Sequence, residues 1–319
     1  FHETVVGAPS RNLDPFFTDG PTTRYLFGRH AETADLSVIE GVMGFYDGLG
    51  GISEEASAYD LARITRTPVI LVTDARGMSL SVLAELKGFL DFRKDSGISG
   101  VIFNRMSKSM YQLLAPMVEE KLGIRPLGYV PERLDCRLES RHLGLVLPQE
   151  VKDLSERLDR LAGVMEETVD LNEILELASG AEELSTEMPP KLQQILTGEQ
   201  AEYIRRTAPV LAVARDEAFQ FIYEDNLRLL EELGARIRWF SPMRDSRLPA
   251  ESRGVLLYGG YPELYAEQLS GNSSMKKELW EALEGGMPCM AECGGYMYLS
   301  DEMEDMEGRV WPMAGAVPG

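Results

Sequence analysis

The chain has 319 residues, 44% hydrophobic and 26% charged, enough for two globular domains with cores of their own. Its 52 acidic residues against 32 basic ones leave a net charge of −20. That balance argues against nucleic acid or an anionic membrane as a main partner and suits a soluble metabolic enzyme. Three cysteines are too few for a disulfide framework, so a reducing, cytoplasmic setting is expected. No run of about 18 apolar residues marks a membrane span, and no signal peptide is recognisable.

In chain order, apolar β-branched runs alternate with longer helical patterns. "DLSVIE" (35–40), "PVILVTD" (68–74), "SGVIFN" (99–104) and "RPLGYVP" (125–131) read as strands in the first half. "PVLAVARD" (209–216), "ARIRWFS" (235–241), "GVLLYGG" (254–260) and "PCMAEC" (288–293) do so in the second. Between them "SLSVLAELKGFLDFRK" (79–94) and "DEAFQFIYEDNLRLLEELG" (216–234) read as helices. Such alternation implies an α/β protein with two parallel-sheet domains. Residues 151–206 are acidic and helical in pattern and are broken by Pro189-Pro190. The expected division is a first domain over 1–185, a linker over 186–207 and a second domain over 208–319.

Five places carry candidate chemistry. In "PCMAECGGYMYL" Cys293 stands on a sharp strand-to-helix turn followed by two glycines, a setting for a nucleophile or for a buried, inert thiol. Cys289, inside the strand, and Cys136, in a loop-like stretch, read as structural. Gly259-Gly260 close another strand and offer backbone N–H groups to an oxyanion, unless they form an ordinary βα turn. Glu40 ends an apolar run and is followed by a glycine-bearing loop with Asp47. An acid there suits a metal that bridges phosphates, or caps a helix, or pairs with an arginine. Asn104 ends a later strand, where its amide could read a base edge, and Pro131 follows the next one as a turn residue. No G-x-x-x-x-G-K-[ST] phosphate loop occurs anywhere.

The second half resembles the class I glutamine amidotransferase domain in the variant fused to amide synthetases of the cobalamin pathway. The resemblance rests on "AVARDEAFQFIYEDNLRLLEELGA", "FSPMRDSRLP", "GGYPELYAEQLSGN", "GMPCMAECGGYMYL" and "PMAGAVPG". It implies that Cys293 attacks the glutamine carboxamide and releases ammonia through a γ-glutamyl thioester, with Gly260 and Gly294 as oxyanion donors. One departure is Tyr258, where the family usually has proline before the glycine pair. The first half resembles the dethiobiotin-synthetase-like P-loop domain of cobyrinate a,c-diamide synthases, through the initial "FH", "PSRNLDPFF", "VIEGVMGFYDG", "TPVILVTDARGMSLS", "GVIFNR" and "ESRHLGLV". It implies that Glu40 is a magnesium-associated carboxylate, Asp47 belongs to the substrate-activation site, and Asn104 and Pro131 flank the adenine. Arg141 and His142 lie in a shared motif without an assigned role.

In the family the phosphate loop precedes "FH" and the histidine base follows the cysteine, whereas the histidines here are His2, His30 and His142. Residue 1 is Phe, not Met. Both flanks are therefore expected to lie outside this sequence, and this fragment to be inactive by itself. The expected activity is a ligase that uses ATP, Mg²⁺ and glutamine to amidate a and c acetates of a corrin-type tetrapyrrole. Cobyrinate, hydrogenobyrinate and nickel-sirohydrochlorin remain alternative substrates, a homodimer is left open, and a non-catalytic paralogue is the rival should the chain be complete.

Overall fold

The computed structural model describes residues 7–137 and 153–318. The chain divides into two compact units, Phe1–Pro189 and Pro190–Gly319.

In the first unit, α1 (Gly20–Ala31) and α2 (Ala58–Thr65) precede a three-stranded sheet, β1 (Val69–Asp74), β2 (Ile98–Asn104) and β3 (Arg125–Val130). The order is β1-β2-β3 and every pairing is parallel. Parallel neighbours need crossovers, supplied by α3 (Ser81–Phe92) and α4 (Lys108–Leu122). The Ser107 hydroxyl accepts from the Met110 N–H at the start of α4, and Gly123 at φ 69° ends it. Val82 and Leu86 of α3, Val101 and Phe103 of β2 and Val118 of α4 form a fully buried core.

Helices α5 (Leu154–Thr168) and α6 (Leu171–Ser179) close against β3. Their junction fits because residue 128 is glycine. A Cβ there would stand 2.4 Å from the Thr168 carbonyl oxygen and 2.6 Å from the Val169 Cα. The Asp170 N–H donates to the Leu127 carbonyl at 2.7 Å, and Arg125 pairs with Glu173 at 2.6 Å.

The second unit begins with α7 (Pro190–Thr197) and α8 (Glu199–Thr207), so the stretch expected as a linker is partly helical. Then come β4 (Val210–Ala214), α9 (Glu224–Glu232), β5 (Arg236–Phe240), β6 (Ser252–Leu257), α10 (Ala266–Gly271), α11 (Ser273–Glu284), β7 (Cys289–Ala291) and α12 (Gly294–Leu299). The sheet order is β5-β4-β6-β7, all parallel. Ala212, Ala214, Phe219, Val255, Leu257, Leu269, Met275, Leu279 and Tyr298 pack as its main core. A hairpin of β8 (Glu302–Glu304) and β9 (Val310–Pro312) follows.

Two local expectations differ from the structure. "DLSVIE" is not a strand: residues 34–42 carry no regular structure, with Val38 86% and Val42 90% exposed. An apolar run becomes a strand only where a neighbour completes its ladder, and among the described residues β1 is itself a sheet edge, with Val72 61% exposed. Residues 216–223 are not helical either. Their backbone goes to other partners: the Phe221 N–H donates to the Gly259 carbonyl at 3.0 Å, and Asp216 organises the turn before it. Among the described residues no helix is long and apolar enough to cross a membrane.

Candidate functional site

In the second unit the sequence around Cys293 folds as a short strand, one residue in an uncommon conformation, and a helix. Cys293 has φ 49° and ψ −117°, outside the ordinary regions for an L-residue. The turn survives because its surroundings over-determine it. The Glu292 N–H donates to the Leu257 carbonyl at 2.9 Å, and the Cys293 carbonyl accepts from the Tyr296 and Met297 N–H groups at 3.0 Å each. Gly295 packs so closely that a Cβ would lie 2.1 Å from the Leu257 oxygen. The result is an exposed thiol at the N-terminus of α12, on the edge where β6 and β7 end.

The two glycine-marked strand ends converge there. A Cβ on Gly259 would lie 3.3 Å from the Cys293 Cβ and 3.6 Å from its Sγ. A Cβ on Gly294 would meet Pro262 Cδ at 2.7 Å and the Gly260 backbone nitrogen at 3.2 Å. Gly260 has no room for a side chain, since its Cβ would stand 1.9 Å from the Ala218 oxygen. Cys293, Gly260 and Gly294 thus form one cluster. Tyr258 is 1% exposed, and its ring packs with Val213, Leu227 and Leu256.

Asp216 is not among the residues the sequence singles out, yet it orders the wall of this site. Its carboxylate accepts from the Ala218 N–H at 3.0 Å, the Ser241 hydroxyl at 2.8 Å and the Met243 N–H at 3.1 Å. The loop it holds supplies the Ala218 carbonyl that abuts Gly260. An acid two residues past the strand "VLAVA" is the signal that could have found it. Of the other cysteines, Cys289 lies on β7, where desolvation pushes its thiol above the ordinary value although the residue keeps solvent contact, and Cys136 is half-buried after β3.

In the first unit Asn104 and Pro131 stand side by side, because Asn104 pairs in register with Val130, immediately before Pro131. Asp74, in register with Asn104 on its other flank, joins them. Arg105, at φ 59°, forks onto Asp74, and that guanidinium holds the Asp74 carboxyl below its usual range. The strand-end assignment of Glu40 is corrected: it lies on an exposed, irregular stretch. Asp47 sits in the next loop with its carboxylate laid on Gly44, where a Cβ would be 2.1 Å from an Asp47 oxygen. Asn104 and Pro131 thus share one strand edge, whereas Glu40 and Asp47 lie in the segment before α2. Arg141 and His142 fall outside the described residues.

A family of CobB/CobQ-like glutamine amidotransferase domains matches residues 210–319, which hold β4 to β9 and Cys293. Over nearly all its length the chain is similar to proteins named cobyrinate a,c-diamide synthase. That of Caldanaerobacter subterraneus subsp. tengcongensis is 39% identical over 316 residues, covering 99% of this chain and 67% of the relative. That of Fusobacterium nucleatum subsp. nucleatum is 38% identical over 323 residues, covering 100% and 71%. That of Thermoplasma volcanium is 39% identical over 319 residues, covering 100% and 67%.

The chain belongs to the cobyrinate a,c-diamide synthase family.

Within that family the matched amidotransferase region coincides with the sheet that carries the cysteine turn, while the similarity to the whole synthases extends through the first unit as well. The Tyr258 side chain packs in the core, and Gly259 is the residue of the pair that lies against Cys293.

Proposed function

We propose that the chain belongs to a glutamine-dependent amide synthetase acting on the a and c acetates of cobyrinate, each unit contributing residues to one half-reaction. The observation that carries this reading is the convergence of Cys293, Gly260 and Gly294 on one strained turn. The Cys293 sulfur attacks the glutamine carboxamide carbon, and backbone N–H groups at Gly260 and Gly294 receive the oxyanion. The C–N bond then breaks, ammonia leaves with the proton given up by the thiol, and water hydrolyses the γ-glutamyl thioester to glutamate and the free thiol.

In the first unit the acetate carboxylate takes a phosphoryl group from ATP, ammonia displaces phosphate, and an amide results. Asp47 belongs to the carboxylate-activating site, and Asn104 and Pro131 would hold the adenine. Glu40 would hold Mg²⁺, which lends positive charge to the phosphates during transfer. One exposed carboxylate fits that assignment: Mg²⁺ is commonly bound by one or two carboxylates together with nucleotide phosphates. Among the described residues no group of three or more His, Cys, Asp or Glu forms a dedicated cage. In this reading the first domain runs over 1–185 and the second over 208–319, in a cytoplasmic enzyme.

A pair of variants in the full-length enzyme tests it. Cys293→Ala is expected to abolish glutamine-dependent amidation and keep amidation with added ammonia. Glu40→Gln is expected to leave glutamine hydrolysis and to lower ATP-dependent amidation by about 10- to 100-fold, the size of effect seen when metal-site partners are lost. Loss of both activities in Cys293→Ala would make the cysteine structural.

A further inference from the structure

Asp47 is exposed, yet the residue before it is tied into the first unit through both its ring and its hydroxyl. The Tyr46 ring lies 4.7 Å from Phe45, 5.3 Å from Tyr59, 5.9 Å from Phe89 and 4.8 Å from Phe92, ring centre to ring centre. The Phe89 pair is stacked, at 17° between planes. The Tyr46 hydroxyl donates to the Phe89 carbonyl at 2.7 Å. That carbonyl is among the last four of α3, which lack partners within a helix, so the bond satisfies a group that otherwise needs one. Burial raises the phenol's pKa.

The backbone around Tyr46 is closed as well. The Tyr59 N–H donates to the Phe45 carbonyl at 2.9 Å, the Asp47 N–H to Gly44 at 2.9 Å, the Gly48 N–H to Ser53 at 2.9 Å and the Leu49 N–H to Glu55 at 3.0 Å. Phe45 and Tyr59 are buried, while Val42 and Ile52 on either side are 90% and 97% exposed. One aromatic anchor therefore sits inside an otherwise exposed segment, directly beside the carboxylate. A plain core contact would not need to lie next to Asp47, nor would Asp47 need a glycine to rest on.

We propose that Tyr46 is a positioning residue for carboxylate activation: its packed ring and its bond to the Phe89 carbonyl fix the loop that presents Asp47. The inference rests on the reading of Asp47 as part of the activating site. With the ring removed, Asp47 keeps its chemistry but loses its place, and a displacement of about 1 Å can cost on the order of 100-fold in rate.

The test uses the full-length enzyme with cobyrinate, ATP, Mg²⁺ and ammonia, so that the cysteine site plays no part. Tyr46→Ala is expected to lower kcat by about 10- to 100-fold. Tyr46→Phe keeps the ring and is expected to lose only about 2- to 10-fold, the worth of one hydrogen bond. In both, KM for cobyrinate and ATP and the calorimetric Kd for cobyrinate stay within about twofold, a shift below about 0.5 kcal/mol. A general packing role would instead raise KM and Kd together with a fall in Tm, and that pattern overturns the proposal. Should Tyr46→Ala fail to fold, Tyr46→Phe decides, and wild-type kcat in it is the refuting result. Asp47→Asn is measured in parallel. Wild-type amidation there removes the reading of Asp47 itself, whereas loss there beside unimpaired Tyr46 variants removes this inference alone.

Discussion

At the residue scale, the three cysteines differ in backbone conformation and surroundings. Cys293 is exposed at a positive φ beside Gly259 and Gly294, Cys289 keeps solvent contact on a strand although desolvation raises its thiol pKa, and Cys136 is half-buried after β3. A thiol reacts as its thiolate, and desolvation disfavours that form at Cys289. A glutamine-like electrophile should therefore label Cys293 first, read by peptide mass spectrometry at sub-stoichiometric reagent. Equal labelling of the three would remove the distinction. The cysteine and its glycines are legible in the sequence because each marks a place where a side chain or an ordinary φ cannot fit. Asp216 and Tyr46 are not, because their roles depend on partners 25–27 and 43 positions away.

At the element scale, seven of the eight runs read as strands form them, because each has a parallel neighbour to complete its ladder. "DLSVIE" reads as a strand from its apolar, β-branched residues but among the described residues lacks the neighbour, and the local pattern alone cannot supply one. Residues 216–223 have a helical pattern, but Asp216 and Gly259 override the local preference. The β8–β9 hairpin shows how far one side chain can organise an element. Burial by itself would raise the Asp305 carboxyl, but donation outweighs it and holds it at about 2. The donors are the Trp311 indole at 2.8 Å, the Glu307 and Arg309 N–H groups at 2.9 Å each and the Arg309 guanidinium at 2.8 Å. A carboxyl depressed in the folded state contributes stability above its unfolded value of about 3.9. That contribution is lost as pH falls from about 4 towards 2. Trp311 emission should therefore change across that window, in a background where Trp239 and Trp280 are replaced by phenylalanine. Asp305→Asn should abolish that pH response. A response unchanged in Asp305→Asn would assign it to another group.

At the scale of the whole molecule, two α/β units of different completeness at their edges share one chain. The first has an exposed sheet edge at β1 and a segment, 34–43, that carries no regular structure. The second encloses its main core between helices and a four-stranded sheet, and its hairpin is pinned by Asp305. Backbone that lacks ladder bonds and apolar cover opens locally at little cost, and proteases cut what opens. Thermolysin, which cuts before apolar residues, finds Leu36, Val38, Val42, Met43 and Ile52 exposed in one short stretch. In native buffer the first cuts in this 319-residue chain are expected on both sides of Phe45-Tyr46, within 36–43 and 49–52, while a fragment containing 208–318 persists. Adding the Tyr46→Ala change should merge the two clusters of cuts into one, because the anchor between them is gone. Peptide mapping of the first fragments checks both statements, and first cuts inside 210–318 would reverse the order of stability argued for the two units.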